Sequence, residues 1–473
     1  MLLPMTVTSA QFSNSTLSAN PVAVVDVGSN SVRLVVYDQA KRAPIPVFNE
    51  KVLCGLGRGL DSTGCLNPDG AKLALKSLQR FAALAKAMNI SDIDAFATAA
   101  VREAKDGAEL VIEIENNCGF PVQIISGEEE AQLSGSGVLS EIPKANGFMA
   151  DLGGASLELA HLDNGLNVDQ TSLPIGHLRN PKNEGRKDFR ENIKHKLSRI
   201  NWLGPTNESA LYAVGGAWRS WARMHMKSIK YPLSVIHHYQ IPIKSALEFS
   251  EKIAQTSPND LKSFSGFPEE RAESIPFANY VLQRLLKQTK VSSVIFSAYG
   301  AREGRIFNRL AASVRMEDPL VAACHNLASM TGRSTVDGET LYKWTGAIFS
   351  EESIGESRLR RAACLLADLE WSDHPDYRAQ HALLRILRYP LIGIDHPGRA
   401  YVALAVASRH AKVPERILTK ALGNILDKRE LQRARAAGLA IRLAYTFSGG
   451  VTSLLEQTHL YREKNKVIII IHL

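Results

Sequence analysis

The chain has 473 residues, with 56 Lys+Arg against 48 Asp+Glu and a formal net charge of +8. That length excludes a single hydrophobic core and predicts roughly three units. Its five cysteines are scattered, odd in number and without a C-x-x-C pair, which excludes a disulfide framework and a thiolate zinc site and fits a reducing cytoplasm.

Residues 1–20 carry neither a basic start nor an apolar run long enough for a signal peptide or a membrane span, and read as a disordered tail. From 22 to 36, "VAVVDVGSNSVRLVV" is a strand, a tight turn and a return strand. "LNPDGAKLALKSLQRFAALAKAMN" follows as a helix opened by Pro68 and Asp69, with apolar residues at Leu73, Leu75, Leu78, Phe81 and Leu84. "DIDAFATAAVREA" is a buried strand running into a helix, and "VQIISG" is another strand ending at Gly127. Next, "EEEAQLSGSGVL" starts a helix with Glu128, Glu129 and Glu130 on its first turn, where negative charge suits the helix dipole.

The strand-turn-strand device then returns in "GFMADLGGASLELAHLDNG", with Asp151, Gly153, Ser156 and Leu159 aligned on Asp26, Gly28, Ser31 and Leu34. A Lys- and Arg-rich helix (182–199), a strand "ALYAVGG" entering helix "AWRSWARMHM", and a strand "SSVIFSA" before "YGAREGRI" complete the same rhythm. The fold class is therefore α/β, with two duplicated lobes and a cleft between them: 21–134 and 135–312. Beyond 313 the strands vanish and repeated helical patterns predict an all-α domain to 473, closed by a short hairpin near 453–472. That domain carries 22 Lys+Arg against 17 Asp+Glu, a surplus that favours a polyanionic partner.

A strand-Gly-x-x-Ser-strand turn offers backbone N–H groups and a hydroxyl around a concavity that glycine leaves open, which is a phosphate cradle. Gly28, Ser29, Asn30 and Ser31 form one such turn; Gly153, Gly154, Ala155 and Ser156 form the other. Each follows an acid, so the pair suits a phosphate chain together with a cation. No G-x-x-x-x-G-K-[ST], H-E-x-x-H or G-x-S-x-G motif occurs, and "GLGRGLD" at 55–61 lacks dinucleotide-loop spacing and reads as a structural turn.

In order and spacing, "VVDVGSNSVRLVV", "FATAAVREA", "IISGEEEAQL", "DLGGASLEL", "AVGGAWR" and "SAYGAREG" resemble the exopolyphosphatase and guanosine pentaphosphate phosphohydrolase (Ppx/GppA) family over about 20–310. The resemblance implies ribonuclease-H-like lobes of the actin, sugar kinase and heat-shock ATPase superfold, followed by an HD-like helical domain. It also implies Mg²⁺-dependent hydrolysis that releases terminal orthophosphate from inorganic polyphosphate, with a homodimer as the assembly and neither nucleic acid nor membrane as partner. Carried over by motif, Glu130 is the general base, Asp151 and Glu158 hold Mg²⁺, the two turns are phosphate loops, and Arg102 faces the substrate phosphates.

The chain departs from that pattern in two places. Ala155 stands where a third glycine is usual, which is tolerable only if the position does not need positive φ. In "LLADLEW", Ala367 replaces the ligand histidine of an HD metal site, so the domain is read as degenerate, with His374, His381, His396 and His410 as surface or packed side chains. The nearest alternative is the same chemistry on pppGpp. A more distant one is an ATPase or sugar-kinase-like enzyme, against which the "SGEEEA" glutamate argues.

Overall fold

The computed structural model describes residues 20–179, 186–206, 209–257, 260–261, 274–331, 337–349, 351–463 and 466–471. The expected first hairpin forms from β1 (Val22–Val27) and β2 (Ser31–Tyr37), antiparallel with Val27 opposite Val32 at the turn. Because β1 is flanked on both sides, its apolar run is buried almost throughout. β3 (Pro46–Leu53) follows, then the single turn α1 (Leu60–Thr63), α2 (Pro68–Ala87), β4 (Asp92–Ala97), α3 (Ala99–Glu103), α4 (Gly107–Cys118) and β5 (Val122–Ile124). The strands form one sheet in the order β3-β2-β1-β4-β5.

Helix α2 starts where the sequence predicts, at Pro68, and is capped by Asn67, whose side chain accepts the Gly70 N–H at 2.9 Å. Its buried stripe is Ala74, Leu78, Phe81 and Ala85; Leu73 faces solvent, and Leu75 and Leu84 are half-buried. The small alanines let the helix lie close on the sheet, which a count of large apolar residues alone misses.

The first compact unit ends at Ser126. The boundary expected at 134 therefore falls inside α5 (Gly127–Glu141), which belongs to the second unit. The second unit begins its sheet with β6 (Gly147–Leu152), β7 (Leu157–Asp163) and β8 (Leu166–Leu173). It continues with α6 (Arg186–Ser198), β9 (Ala210–Val214), α7 (Gly216–Ser228), β10 (Tyr239–Pro242), α8 (Ile243–Gln255), α9 (Ile275–Thr289), β11 (Ser293–Phe296) and α10 (Ala301–Arg309). In the order β10-β11-β9-β6-β7-β8, strands β8-β7-β6-β9-β11 repeat the first sheet in neighbour and direction, with β10 as an added edge. The duplication read from the two turns is thus a duplication of whole sheets. Trp218 and Trp221 of "AWRSWARM" are fully buried beneath the second sheet, their indole N–H groups donating to Ala278 O at 2.9 Å and Asn279 Oδ1 at 2.8 Å.

After the short α11 (Ala312–Arg315) the chain is helical: α12 (Pro319–Thr331), α13 (Gly338–Gly346), α14 (Ile354–Leu365), α15 (Pro375–Arg388), α16 (His396–His410), α17 (Glu415–Leu422) and α18 (Lys428–Ser448). α16 is buried along nearly its whole length, and Arg399 within it donates to the carbonyls of Ile386, Tyr389 and Leu391 at the end of α15. The second lobe and the helices form one unit. Tyr231 Oη lies 2.9 Å from His396 Nδ1, and His396 Nε2 reaches His237 O at 3.2 Å, tying α16 to the lobe. The expected closing hairpin is β12 (Thr458–Glu463) with β13 (Lys466–Ile471); the first residues assigned to it form a short helix instead, α19 (Thr452–Glu456). Among the described residues no helix is long and apolar enough to cross a membrane.

Candidate active site

The two Gly-x-x-Ser turns close alike. Gly28 N–H donates to Ser31 O at 3.0 Å, and Gly153 N–H donates to Ser156 O at 2.9 Å. Each is braced by the segment after its sheet's third strand. Around the first, the Cys54 and Gly55 N–H groups donate to Asn30 O and the Gly57 N–H to Ser29 O, so "GLGRGLD" is the buttress of the turn 28–31. The Ser29 hydroxyl, 6% exposed, accepts the Ala100 N–H at 3.1 Å and ties the loop to the start of α3. One turn on, Arg102 is half-buried with Nη1 donating to Ile125 O at 2.8 Å.

Around the second turn, Leu178 N–H donates to Gly154 O and Arg179 Nε to Ala155 O. Gly176 makes this brace possible: a Cβ there would meet Gly154 O at 2.2 Å and the Ala155 Cα at 2.4 Å. Ala155 is 2% exposed and is not among the positive-φ residues, so the backbone needs no glycine at that position.

The register separates the two hairpins chemically. Asp26 stands opposite Arg33, an acid facing a base, whereas Asp151 stands opposite Glu158. Residues directly opposite in an antiparallel pair project from the same face about 5 Å apart, and like charges placed so repel. A hard cation shared between Asp151 and Glu158 removes that repulsion, and an all-oxygen pair suits Mg²⁺. Glu158 is 2% exposed with Oε1 accepting the Ser172 hydroxyl at 2.9 Å. Asp151 is half-buried with Oδ2 accepting the Ser134 hydroxyl at 2.9 Å. The backbones of Gly215 and Gly300 close round Asp151: a Cβ at either would lie 3.3 Å from a carboxylate oxygen, and one at Gly215 would also meet Leu152 O at 2.6 Å.

Ser134, which donates to Asp151, shares one face of α5 with Glu130, four residues earlier. Glu130 is half-buried while Glu128 and Glu129 are exposed, so one of the three first-turn acids is set apart. α5 can lie deep enough to do this because its Ser134 and Gly137 face α10: a Cβ at Gly304 would meet Leu133 O at 1.9 Å. The second unit thus brings together Glu130, Asp151, Glu158 and the turn 153–156. Gly28 to Ser31 and Arg102 belong to the first unit. The sequence reading missed Ser134 and Ser172. Helical spacing from Glu130 would have found Ser134, and pairing across β7 and β8, where Glu158 opposes Ser172, would have found the other.

Among the described residues, one group of three potential ligands has its donor atoms within 4.8 Å of one another: Glu141, His237 and His238, all buried. The Ala298 N–H donates to His237 Nδ1 at 3.2 Å, which places the imidazole proton on Nε2, facing Glu141 Oε2. His238 Nε2 lies 3.1 Å from the same oxygen and Ser297 donates to Oε1. Burial holds the Glu141 carboxyl above and His237 far below their ordinary pKa values. A nitrogen that carries a proton cannot ligate, so this is a hydrogen-bonded carboxylate inside the lobe rather than a metal centre.

Residues 34–313 match the model of the Ppx/GppA phosphatase family, and residues 320–472 match the exopolyphosphatase C-terminal model. The chain belongs to the Ppx/GppA phosphatase family. It is accordingly a phosphoanhydride hydrolase with the actin-like lobes of that family. Retrograde regulation protein 2 of Saccharomyces cerevisiae is 25% identical over 84% of this chain and 74% of its own length. Exopolyphosphatase 1 of Mycobacterium leprae is 25% identical over 61% of this chain and 89% of its own. The fold matches the crystal structure of an exopolyphosphatase from Cytophaga hutchinsonii, with a TM-score of 0.55 at 22% identity over 61% of this chain and 97% of that one.

In the helical part, His396 is packed at 2% exposure and His374 and His381 are largely exposed. Asp368, the acid retained beside Ala367, is paired with Arg409 at 3.2 Å.

Proposed function

We propose that the chain is an exopolyphosphatase that releases terminal orthophosphate from inorganic polyphosphate, with Glu130 as the general base. The observation that carries this reading is the single face built by Glu130, Ser134, Asp151 and Glu158 beside the loop 153–156. Hydrolysis of a phosphoanhydride needs a positioned in-line water and neutralisation of charge on the transferred group, with little covalent work for the protein. A Mg²⁺ held by Asp151 and Glu158 would supply that charge neutralisation and orient the phosphate. The N–H groups of 154–156 receive phosphate oxygens, and Ser134 and Ser172 hold the two carboxylates in place. Glu130 takes the proton of the attacking water. The loop 28–31 and Arg102, in the first unit, are assigned to phosphate binding.

The test is phosphate release from polyphosphate and from pppGpp, measured side by side on wild type and Glu130→Gln. Polyphosphate is expected to be the better substrate by kcat/KM, and Glu130→Gln to lower kcat by about 10²-fold or more in a folded protein. Faster release from pppGpp would move the substrate assignment, and near-normal turnover in the variant would move the base to another residue. Excess EDTA is expected to abolish activity reversibly. A homodimer in a reducing cytoplasm belongs to the same reading, and sedimentation of the purified chain checks the assembly.

A further inference from the structure

The helical part of the second unit contains a cavity of about 240 Å³ that the hydrolytic reading does not use. By liquid volume it has room for roughly eight waters. Arg378 of α15, Arg409 and His410 of α16, and Arg442, Tyr445 and Thr446 of α18 line it, and no carboxylate does. Three guanidinium groups from three helices in so small a space repel one another unless an anion joins them.

Their other contacts fix them in that arrangement. Arg378 Nε donates to Asp373 O at 2.8 Å; among the described residues its two Nη groups have no protein acceptor. Arg442 donates through Nε and Nη2 to the Arg409 and Ser408 carbonyls at the end of α16, which leaves Nη1 without a protein acceptor among the described residues. Arg409 lies 3.9 Å from the Tyr445 ring centroid, and its Nη1 meets His410 Nδ1 at 2.7 Å. His410 Nε2 in turn donates to Leu369 O at 2.9 Å. Burial and the neighbouring Arg409 hold His410 down at about 4, so it acts as a neutral acceptor that orients Arg409. Asp368 pairs with Arg409 at 3.2 Å. Among the described residues no carboxylate forms an ion pair with Arg378 or Arg442.

We propose that this cavity is a second anion site, in which Arg378, Arg409 and Arg442 hold a phosphate group. Guanidinium forks match tetrahedral oxyanions through paired N–H donors. Arg409 covers the Tyr445 ring face, so no aromatic platform is left for a nucleobase and the ligand is recognised through its phosphate alone. That phosphate can come from an inorganic chain or from a nucleotide. The proposal does not depend on which substrate the hydrolytic site takes.

Calorimetric titration of the full chain with methylenediphosphonate, a diphosphate analogue without a hydrolysable bridge, tests this. Two variants are compared with wild type: Arg378→Ala, which removes a donor, and Thr446→Glu, which brings a carboxylate to the rim from an exposed position. Lys420→Glu, exposed on α17 and outside the cavity, is the charge control. Two binding events per chain are expected in wild type and Lys420→Glu. In Arg378→Ala and Thr446→Glu one event weakens at least tenfold while hydrolysis of a short substrate is unchanged. Unaltered binding in Thr446→Glu, with its melting temperature as in wild type, overturns the site even if Arg378→Ala fails to fold. Competition by GDP and by pyrophosphate separates the ligand sources. Comparable displacement by the two supports recognition through phosphate, and a preference for GDP above tenfold overturns it.

Discussion

Asp151 and Glu158 face each other across one rung of a hairpin, and this placement has consequences for stability as well as for activity. In chelator, where the two charges repel, Asp151→Asn is expected to melt no lower than wild type although it is inactive in Mg²⁺, because removing one of two opposed like charges relieves about 0.2–1 kcal/mol. Thermal melts with EDTA and with Mg²⁺ check this: wild type gains stability from the ion and the variant does not. A clear loss of stability in the variant under EDTA would show that the two acids are held by protein contacts rather than by a cation. Ser134 is wholly buried and donates to Asp151, so Ser134→Ala removes a hydrogen bond to a charged group, roughly 1.5–3 kcal/mol, without opening a large hole. It is expected to lower kcat about tenfold with little change in KM and to shift the acid limb of the pH–rate profile. An unshifted profile would leave Ser134 a packing residue.

At the scale of elements, the position of Glu130 depends on how closely α5 and α10 approach. Gly304→Ala places a Cβ against the Leu133 carbonyl and must separate the helices, at a cost of about 1–3 kcal/mol for overpacking. Because the carbonyl it pushes lies between Glu130 and Ser134 on α5, activity is expected to fall by more than the melting temperature implies. Residual activity in proportion to folded protein is the contrary result. The turn 153–156 offers an opposite case. Ala155 needs no left-handed conformation, so Ala155→Gly is expected to bring no gain in turnover and to lose about 0.4–1 kcal/mol through the freer unfolded chain. Urea denaturation and steady-state rates measure both.

Across the whole molecule, the seam between the second lobe and the helices is built on neutral imidazoles. His396 at the seam and His225 within the lobe are both held down at about 4 by burial, from an ordinary value near 6.5. Between those values the unfolded chain binds more protons than the folded one, so stability present above pH 6.5 is lost progressively as pH falls toward 4. His396→Gln, which keeps a donor and an acceptor for His237 O and Tyr231 Oη, is expected to flatten the slope of melting temperature against pH in that window. An unchanged slope would place the acid sensitivity elsewhere. The basic surplus of the helical part leads to a prediction about substrate length. The KM for long polyphosphate is expected to rise with salt more steeply than that for a triphosphate, in proportion to the phosphates contacted. Equal slopes would confine recognition to the hydrolytic site.

The repeated Asp-x-Gly-x-x-Ser turns, the acids in them and the helix opened by Pro68 were legible in the sequence because each rests on local chemistry: a turn that needs small residues, a helix start that tolerates proline, a strand that needs β-branched residues. The duplication followed from the same local signals, and the order of both sheets agrees with it. The difference between the two hairpins, Asp26 meeting Arg33 in one and Asp151 meeting Glu158 in the other, lies in the cross-strand register, a pairing of residues that local patterns do not announce. The braces at 54–57 and 176–179, the assignment of α5 to the second unit and the arginine cavity among α15, α16 and α18 arise from contacts between segments tens of residues apart. Their residues are ordinary glycines and arginines until packing brings them within a few ångströms of a carbonyl, a carboxylate or one another.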